Sequence, residues 1–240
     1  MASKILKNRF VRALLWIAAF CVIIPLALVV TYKFIQPPGT LLMVERRYFA
    51  VGPHKISEIK HEAVPLEKIS RSMVFAAMAG EDQKFLDHNG IDFEAIEKAM
   101  KHNESHKKKF GASTISQQTA KNVFLWETRS YVRKALEVPF TMAIELIWGK
   151  RRIMEVYLNV VELGPGIFGV EAASQYWFHV PASKLSSHQA ALLAACLPNP
   201  RKFNPRNPSS FVDGHADWIE EQIGFMNQAE TADRLDLPKR

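Results

Sequence analysis

Cysteine is nearly absent from this sequence: two residues in 240, Cys21 and Cys196. So few exclude a disulfide scaffold and a cysteine-based zinc cluster. Cys21 falls in an apolar run and Cys196 in Leu192-Leu193-Ala194-Ala195-Cys196-Leu197, so both read as small buried hydrophobes. Runs of strands separated by tight turns, internal repeats and heptad arrays are also missing, which leaves a mainly α chain with one globular domain. Compositional bias is lacking too. Apolar residues make up 48% and charged residues 23%, a globular balance that excludes disordered and collagen-like chains. Acidic residues are outnumbered, 24 against 31 Lys and Arg, for a net charge of +7. The excess favours an anionic partner: a phosphate-bearing substrate, acidic lipid or nucleic acid.

What is present begins with one long apolar run. Residues 13–30 are all apolar or small. At ~1.5 Å per residue the run matches the roughly 30 Å hydrocarbon core of a bilayer. Pro25 is tolerable in a membrane helix. Lys4, Lys7, Arg9 and Arg12 precede the run and only Lys33 follows closely. The positive-inside rule then makes residues 1–12 a cytoplasmic basic tail and 13–35 a single-pass anchor, with the rest of the chain outside. A cleaved signal peptide is the alternative, disfavoured because its apolar core is shorter and a small-x-small cleavage sequence is missing. This topology argues against nucleic acid as the partner.

Gln36-Pro37-Pro38-Gly39 reads as a linker, and 36–60 as a linker and membrane-proximal segment without periodicity, extended or looped. Residues 61–230 form the expected catalytic domain and 231–240 an uninformative tail. Pro65 is expected near a helix start, and Asp92 is a plausible N-cap. Helices are expected at about 114–124, 130–148 and 150–161, with Pro139 kinking or dividing the second. Ser186-Ser187-His188-Gln189 has the form of a capping box. Phe211, Trp218, Ile219, Ile223 and Met226 suggest a closing helix. His102 and His106 are four apart, but three lysines follow in a polar stretch, 102–109, that reads as a loop; no metal site is predicted.

Three polar clusters stand out. Glu81 and Asp82 end an apolar helix, where the helix dipole and neighbours Met78 and Phe85 raise a carboxylate toward general-base range. Alone, such a pair is more often a solvated acidic turn. In the second cluster, Phe110 to Asn122, Gln117 and Lys121 share a helix face; amides and hydroxyls suit sugar hydroxyls and the lysine suits phosphate. A merely polar face is the bland alternative. In the third, Arg129, Arg133 and Glu137 advance by four with Lys134 adjoining, either a pyrophosphate cradle or wet salt bridges.

Together and in order, these clusters resemble the family-51 glycosyltransferases, the peptidoglycan glycosyltransferases, nearest to the monofunctional branch of Gram-negative bacteria. Glu81-Asp82-x-x-Phe85-x-x-His88-x-Gly90, Gly111-x-Ser113-Thr114-Ile115-x-Gln117-Gln118-x-x-Lys121-Asn122 and Arg129 through Arg133-Lys134-x-x-Glu137 match its first three motifs. Lys150-x-x-Ile153-x-Glu155-x-Tyr157-Leu158-Asn159 and Leu192-Leu193-Ala194-Ala195 continue a likeness covering about 45–205. Ser116 stands where a Thr is common, and His188 where an acid is common.

The resemblance implies a lysozyme-like helical lobe with a smaller membrane-facing jaw. It also implies polymerisation of undecaprenyl-pyrophosphoryl disaccharide-pentapeptide (lipid II) into β-1,4 glycan at the bacterial inner membrane, with the catalytic domain periplasmic. Glu81 would be the base and Glu137 a second catalytic carboxylate, assisting departure, orienting cations or helping hold a divalent ion; no cofactor is required. Ser113, Gln117, Gln118, Lys121, Asn122, Arg129, Arg133, Lys134, Asp82 and Phe85 are carried over as substrate-binding, with Phe85 read as core slightly ahead of cleft lining. Partners would be lipid II, the growing glycan, the membrane and proteins of wall synthesis and division. No transpeptidase domain follows, so polymerisation without cross-linking is expected. The rivals are a lysozyme-type or lytic hydrolase, which needs no pyrophosphate clamp, and a non-catalytic tethered scaffold.

Overall fold

The structure is a computed structural model. It describes residues 9–49, 56, 58–105, 111–128 and 130–238, with the side chains at 9, 10, 14, 15, 17–19 and 21 also outside the description. The chain forms two compact units, Met1–Gln36 and Pro37–Arg240.

The first unit is helix α1, Arg9–Phe34, with Pro25 inside it. Trp16, Phe20, Val22, Ile23, Ile24, Leu26 and Val30 are exposed along it. Among the described residues no helix is long and apolar enough to cross a membrane. The apolar run expected at 13–30 lies partly in the undescribed side chains.

The second unit is mainly α. Its first element overturns the expected loop. Thr40 accepts a hydrogen bond from the Met43 amide at 3.2 Å and starts a short helix, α2, Leu41–Val44, that continues as a wide turn over Glu45–Phe49. Leu42 and Met43 are buried with Phe168, which fixes this turn to the body of the unit. Strands exist as well, too short to show an alternating pattern. They are β1 (Lys60–His61), β2 (Glu162–Gly164) and β3 (Ile167–Phe168), in order β1-β3-β2, with β1 parallel and β2 antiparallel to β3.

Pro65 precedes a single 3₁₀ turn, and the helix proper, α3, runs Arg71–Glu81. Residues Met73 to Ala79 are all buried, so α3 is a central helix covered on every side. Helices α8 (Ser187–Cys196) and α9 (Ser210–Phe225) pack on it. Gly80 permits this approach: a Cβ there would meet Ile219 Cδ1 at 3.2 Å. Cys196 is buried, and burial pushes its thiol up to about 12.

Helix α4, Phe93–Ser105, is capped as expected by Asp92, whose Oδ1 accepts from the Ala95 amide at 2.9 Å. It extends through His102, which is therefore helical rather than looped; His106 and the lysines lie outside the described residues. Helix α5, Ile115–Phe124, opens with a reciprocal Thr114–Gln117 capping box. Helix α6, Tyr131–Val160, packs along it. Its break is at Gly149 (φ 76°, ψ 167°), between the helices expected at 130–148 and 150–161, whereas the dihedrals stay helical through Pro139, where a further kink was expected. That conformation suits only glycine.

Helix α7, Val170–Phe178, follows the sheet, and α8 carries the expected Ser186–Gln189 capping box. The expected closing helix is α9, in which Val212, Ala216 and Ile219 face inward while Phe211 and Trp218 are exposed. The last described residues, up to 238, are no loose tail. Helix α10, Gln228–Arg234, leads to buried Leu235 and Leu237. Arg151 Nη1 donates to the Leu235 carbonyl at 3.1 Å and Arg234 Nη1 to Asp87 at 2.9 Å.

Candidate active site

Glu81 is the last residue of α3. Its Oε2 accepts a 2.6 Å hydrogen bond from Gln118 Nε2, on α5. The Gln118 carbonyl oxygen in turn accepts from the Tyr157 hydroxyl at 3.4 Å. Burial raises the Glu81 pKa; the Gln118 bond and the Lys121 charge oppose this, and neighbouring Asp82 adds to it. Tyr157 is fully buried and its hydroxyl is pushed well above its ordinary range by burial and by the two carboxylates. It therefore stays a donor.

Asp82 is buried and committed to the scaffold. Its Oδ2 accepts from the Ile115 amide at the start of α5 at 3.0 Å, and His88 Nε2 lies 3.0 Å from both carboxylate oxygens. His88 Nδ1 accepts from the Gly90 amide at 3.1 Å, so Nε2 carries the proton toward Asp82. Phe85, a sequence candidate for substrate contact, is fully buried with the Lys150 ammonium 4.6 Å from its ring centroid. It belongs to the core. Lys150 donates to the His88 carbonyl at 2.5 Å and to Glu145 at 2.7 Å, and Ser116 also donates to Glu145 at 2.5 Å. This network supports α3 and α5 from behind.

Glu137 sits on α6, buried, its two oxygens accepting from Arg133 Nη1 at 2.8 Å and Lys134 Nζ at 2.5 Å. Spacings of four and three residues put all three groups on one helix face. Arg133 Nε also donates to the Thr128 carbonyl at 3.2 Å. Lys121 is half-buried; burial lowers its pKa, the Glu137 charge raises it, Arg133 lowers it and Glu81 raises it. Arg129 lies outside the described residues.

These groups line one cleft. Ser113, Gln117, Gln118, Lys121, Arg133, Lys134 and Glu137 surround a cavity of about 320 Å³. Ser113 is shared with a neighbouring space of about 240 Å³ that Glu81 and Asp82 line. Gln118, Lys121 and Arg133 are shared with a third of about 420 Å³, which Asn122 also lines. The Gln117 carbonyl oxygen is engaged by the Thr114 amide at 3.1 Å in the capping box, leaving its amide nitrogen for a ligand.

The far end of the cleft carries a cluster that the polar motifs do not include. Arg46 forks onto Glu127, with Nη2 at 2.6 Å from Oε1, and its Nε donates to Glu162 at 3.1 Å. Arg201 approaches Glu127 at 3.7 Å. Burial raises the Glu162 pKa against the pull of Arg46. At Glu127 burial also acts upward, but the Arg46 bond and charge, with Arg201, bring the net shift downward. Arg46 is 81 and 116 positions from its partners, so no local spacing announces them.

The arrangement offers a carboxylate base beside a bank of cations, the pairing needed to activate a hydroxyl while an anionic group departs. Comparison with known proteins agrees. The transglycosylase family model matches residues 50–223. A biosynthetic peptidoglycan transglycosylase of Aeromonas hydrophila subsp. hydrophila is 49% identical over 82% of this chain and 83% of its own length. One of Pseudomonas syringae pv. syringae is 47% identical over 100% of both chains, and one of Bdellovibrio bacteriovorus 51% over 88% of this chain and 85% of its own. The chain thus belongs to the transglycosylase family and is a peptidoglycan glycosyltransferase.

Proposed function

We propose that the cleft polymerises lipid II into β-1,4-linked glycan, releasing undecaprenyl pyrophosphate with inversion at the anomeric carbon. Glu81 takes the proton from the attacking sugar 4-hydroxyl. The new bond forms from that oxygen to the anomeric carbon as the bond to the pyrophosphate oxygen breaks. The leaving electron pair goes to the pyrophosphate, whose charge Lys121, Arg133 and Lys134 stabilise. Glu137 holds the last two cations in place, and Ser113, Gln117, Gln118 and Asn122 position sugar and phosphate. Arg129 joins the cation bank on this reading. The observation that carries it is Glu81, bonded to Gln118 at the end of α3, in a cleft whose adjoining wall holds Lys121, Arg133, Lys134 and Glu137.

The reaction is polymerisation alone, without transpeptidation: sugar and pyrophosphate chemistry accounts for the cleft residues. The second unit serves as a lysozyme-like helical lobe with a smaller jaw facing the membrane. Residues 13–35 anchor it in the bacterial inner membrane, N-terminus cytoplasmic and cleft periplasmic. The apolar run and the basic residues before it support this. Anchoring brings enzyme and lipid-linked substrate to high effective concentration.

The test is polymerisation of labelled lipid II by purified protein in detergent, wild type beside Glu81→Gln. Long glycan from the wild type and almost none from the variant is expected. Equal product from both removes Glu81 as base. No product from either folded protein, over varied detergents and metals, favours the scaffold instead.

A further inference from the structure

A further depression lies outside the cleft. It has a volume of about 670 Å³, within the range of small-ligand sites. Strand β1, helix α7 and the segment around Arg206 line it.

Its walls are fixed. Trp177 Nε1 donates to the Leu163 carbonyl at 2.9 Å, and Tyr176 packs edge-on against it at 4.7 Å and 90°, leaving the tyrosine exposed. His179 ends α7 in a left-handed conformation (φ 58°). Its Nε2 lies 3.4 Å from Arg206 Nη1. A guanidinium only donates, so this imidazole nitrogen is the acceptor of that bond. The Asn204 carbonyl oxygen accepts from the Arg206 and Asn207 amides at 2.9 and 3.1 Å, setting the turn that presents Arg206. Arg206 has no carboxylate partner among the described residues. Lys60 has only an exposed Glu58 at 3.3 Å. His61 is held by the Asn159 carbonyl at 3.0 Å, which makes its Nε2 a donor, and burial lowers its pKa.

Placement links this depression to the reaction. Glu162 lines the far end of the cleft, and Leu163, the next residue of β2, holds Trp177 in the wall of the depression. Two cations, Lys60 and an Arg206 without a carboxylate partner, outnumber the one carboxylate of the lining, Glu62, and such groups select carboxylates. The exposed Tyr176 ring gives a flat apolar face, and the Gln175 side-chain oxygen, whose Nε2 is engaged by Glu171 at 2.9 Å, is left to accept from a peptide N–H. We propose that this depression is a second binding site, for the carboxylate-bearing peptide branch of a peptidoglycan strand. The inference rests on the polymerising function above and adds a product-side contact to it.

The experiment uses the full chain in detergent. A soluble muramyl peptide with free carboxylates is titrated by calorimetry and saturation-transfer NMR, beside the same compound with its carboxylates amidated. Saturable binding is expected, weakened about tenfold by amidation or by Arg206→Gln and partly restored in Arg206→Lys. Lys121→Met, in the cleft, leaves it unchanged. Absence of binding, or binding indifferent to Arg206→Gln but lost in Lys121→Met, overturns the second site. Lipid II polymerisation measured on the same wild-type sample separates the two readings. An active enzyme that does not bind the peptide refutes only this site, whereas an inactive one that binds it refutes the polymerising function.

Discussion

Glu81 and Glu137 are carboxylates of one cleft, yet their surroundings differ in kind. Glu81 ends an apolar helix, takes one hydrogen bond from a neutral amide, and is shifted upward by burial. Glu137 sits in mid-helix with both oxygens engaged by cations of its own face. A carboxylate with one neutral donor keeps a lone pair for a proton; one gripped by two cations organises charge. The difference teaches that position on the helix and partner type, more than residue identity, divide base from clamp.

The largest expected break in that contrast is Glu81→Gln, which removes the proton acceptor. Its rate of glycan formation falls about 10³-fold with little change in melting temperature. Glu137→Gln acts through the cations: kcat/KM falls about 10²-fold, and the melting temperature also falls because Arg133 loses its buried counter-charge. Gln118→Ala sharpens the comparison. The amide bond favours the charged form of Glu81, so its loss raises that pKa further. The acid limb of the pH–rate profile then moves to higher pH, with activity near neutrality falling about tenfold. Glu137 keeps its partners in this variant, but the buried Tyr157 hydroxyl loses its acceptor, so the melting temperature falls modestly. Least affected in activity is Gly149→Ala. Forcing a side chain into that backbone conformation costs roughly 1–3 kcal/mol, and the melting temperature drops about 2–4 °C per kcal/mol.

Local signals were readable in the amino-acid sequence. Helical periodicity, the Asp92 cap and the Ser186–Gln189 box are short-range chemistry, and the structure shows each. The spacing of Arg133, Lys134 and Glu137 likewise survives as direct ion pairs. Long-range partners were not readable. Arg46 meets Glu127 and Glu162 only through folding, and Tyr157 reaches Glu81 only through Gln118. The two- and three-residue strands are too short for a period-two pattern, and Thr40 alone marked the first turn of α2. Gly149 fell between the helices expected at 130–148 and 150–161 and the backbone does turn there; Pro139 misled, because the kink expected of a strong helix breaker is not in the dihedrals. Phe85 carried a motif position but not a ligand contact, since a motif does not distinguish cleft wall from support.

The most direct test of the central claim is kcat/KM for lipid II against pH, in wild type and in the residual activity of Glu81→Gln. The account predicts an acidic limb in the wild type, displaced upward from an ordinary glutamate, that disappears in the variant. The same limb persisting in Glu81→Gln would contradict Glu81 as the base.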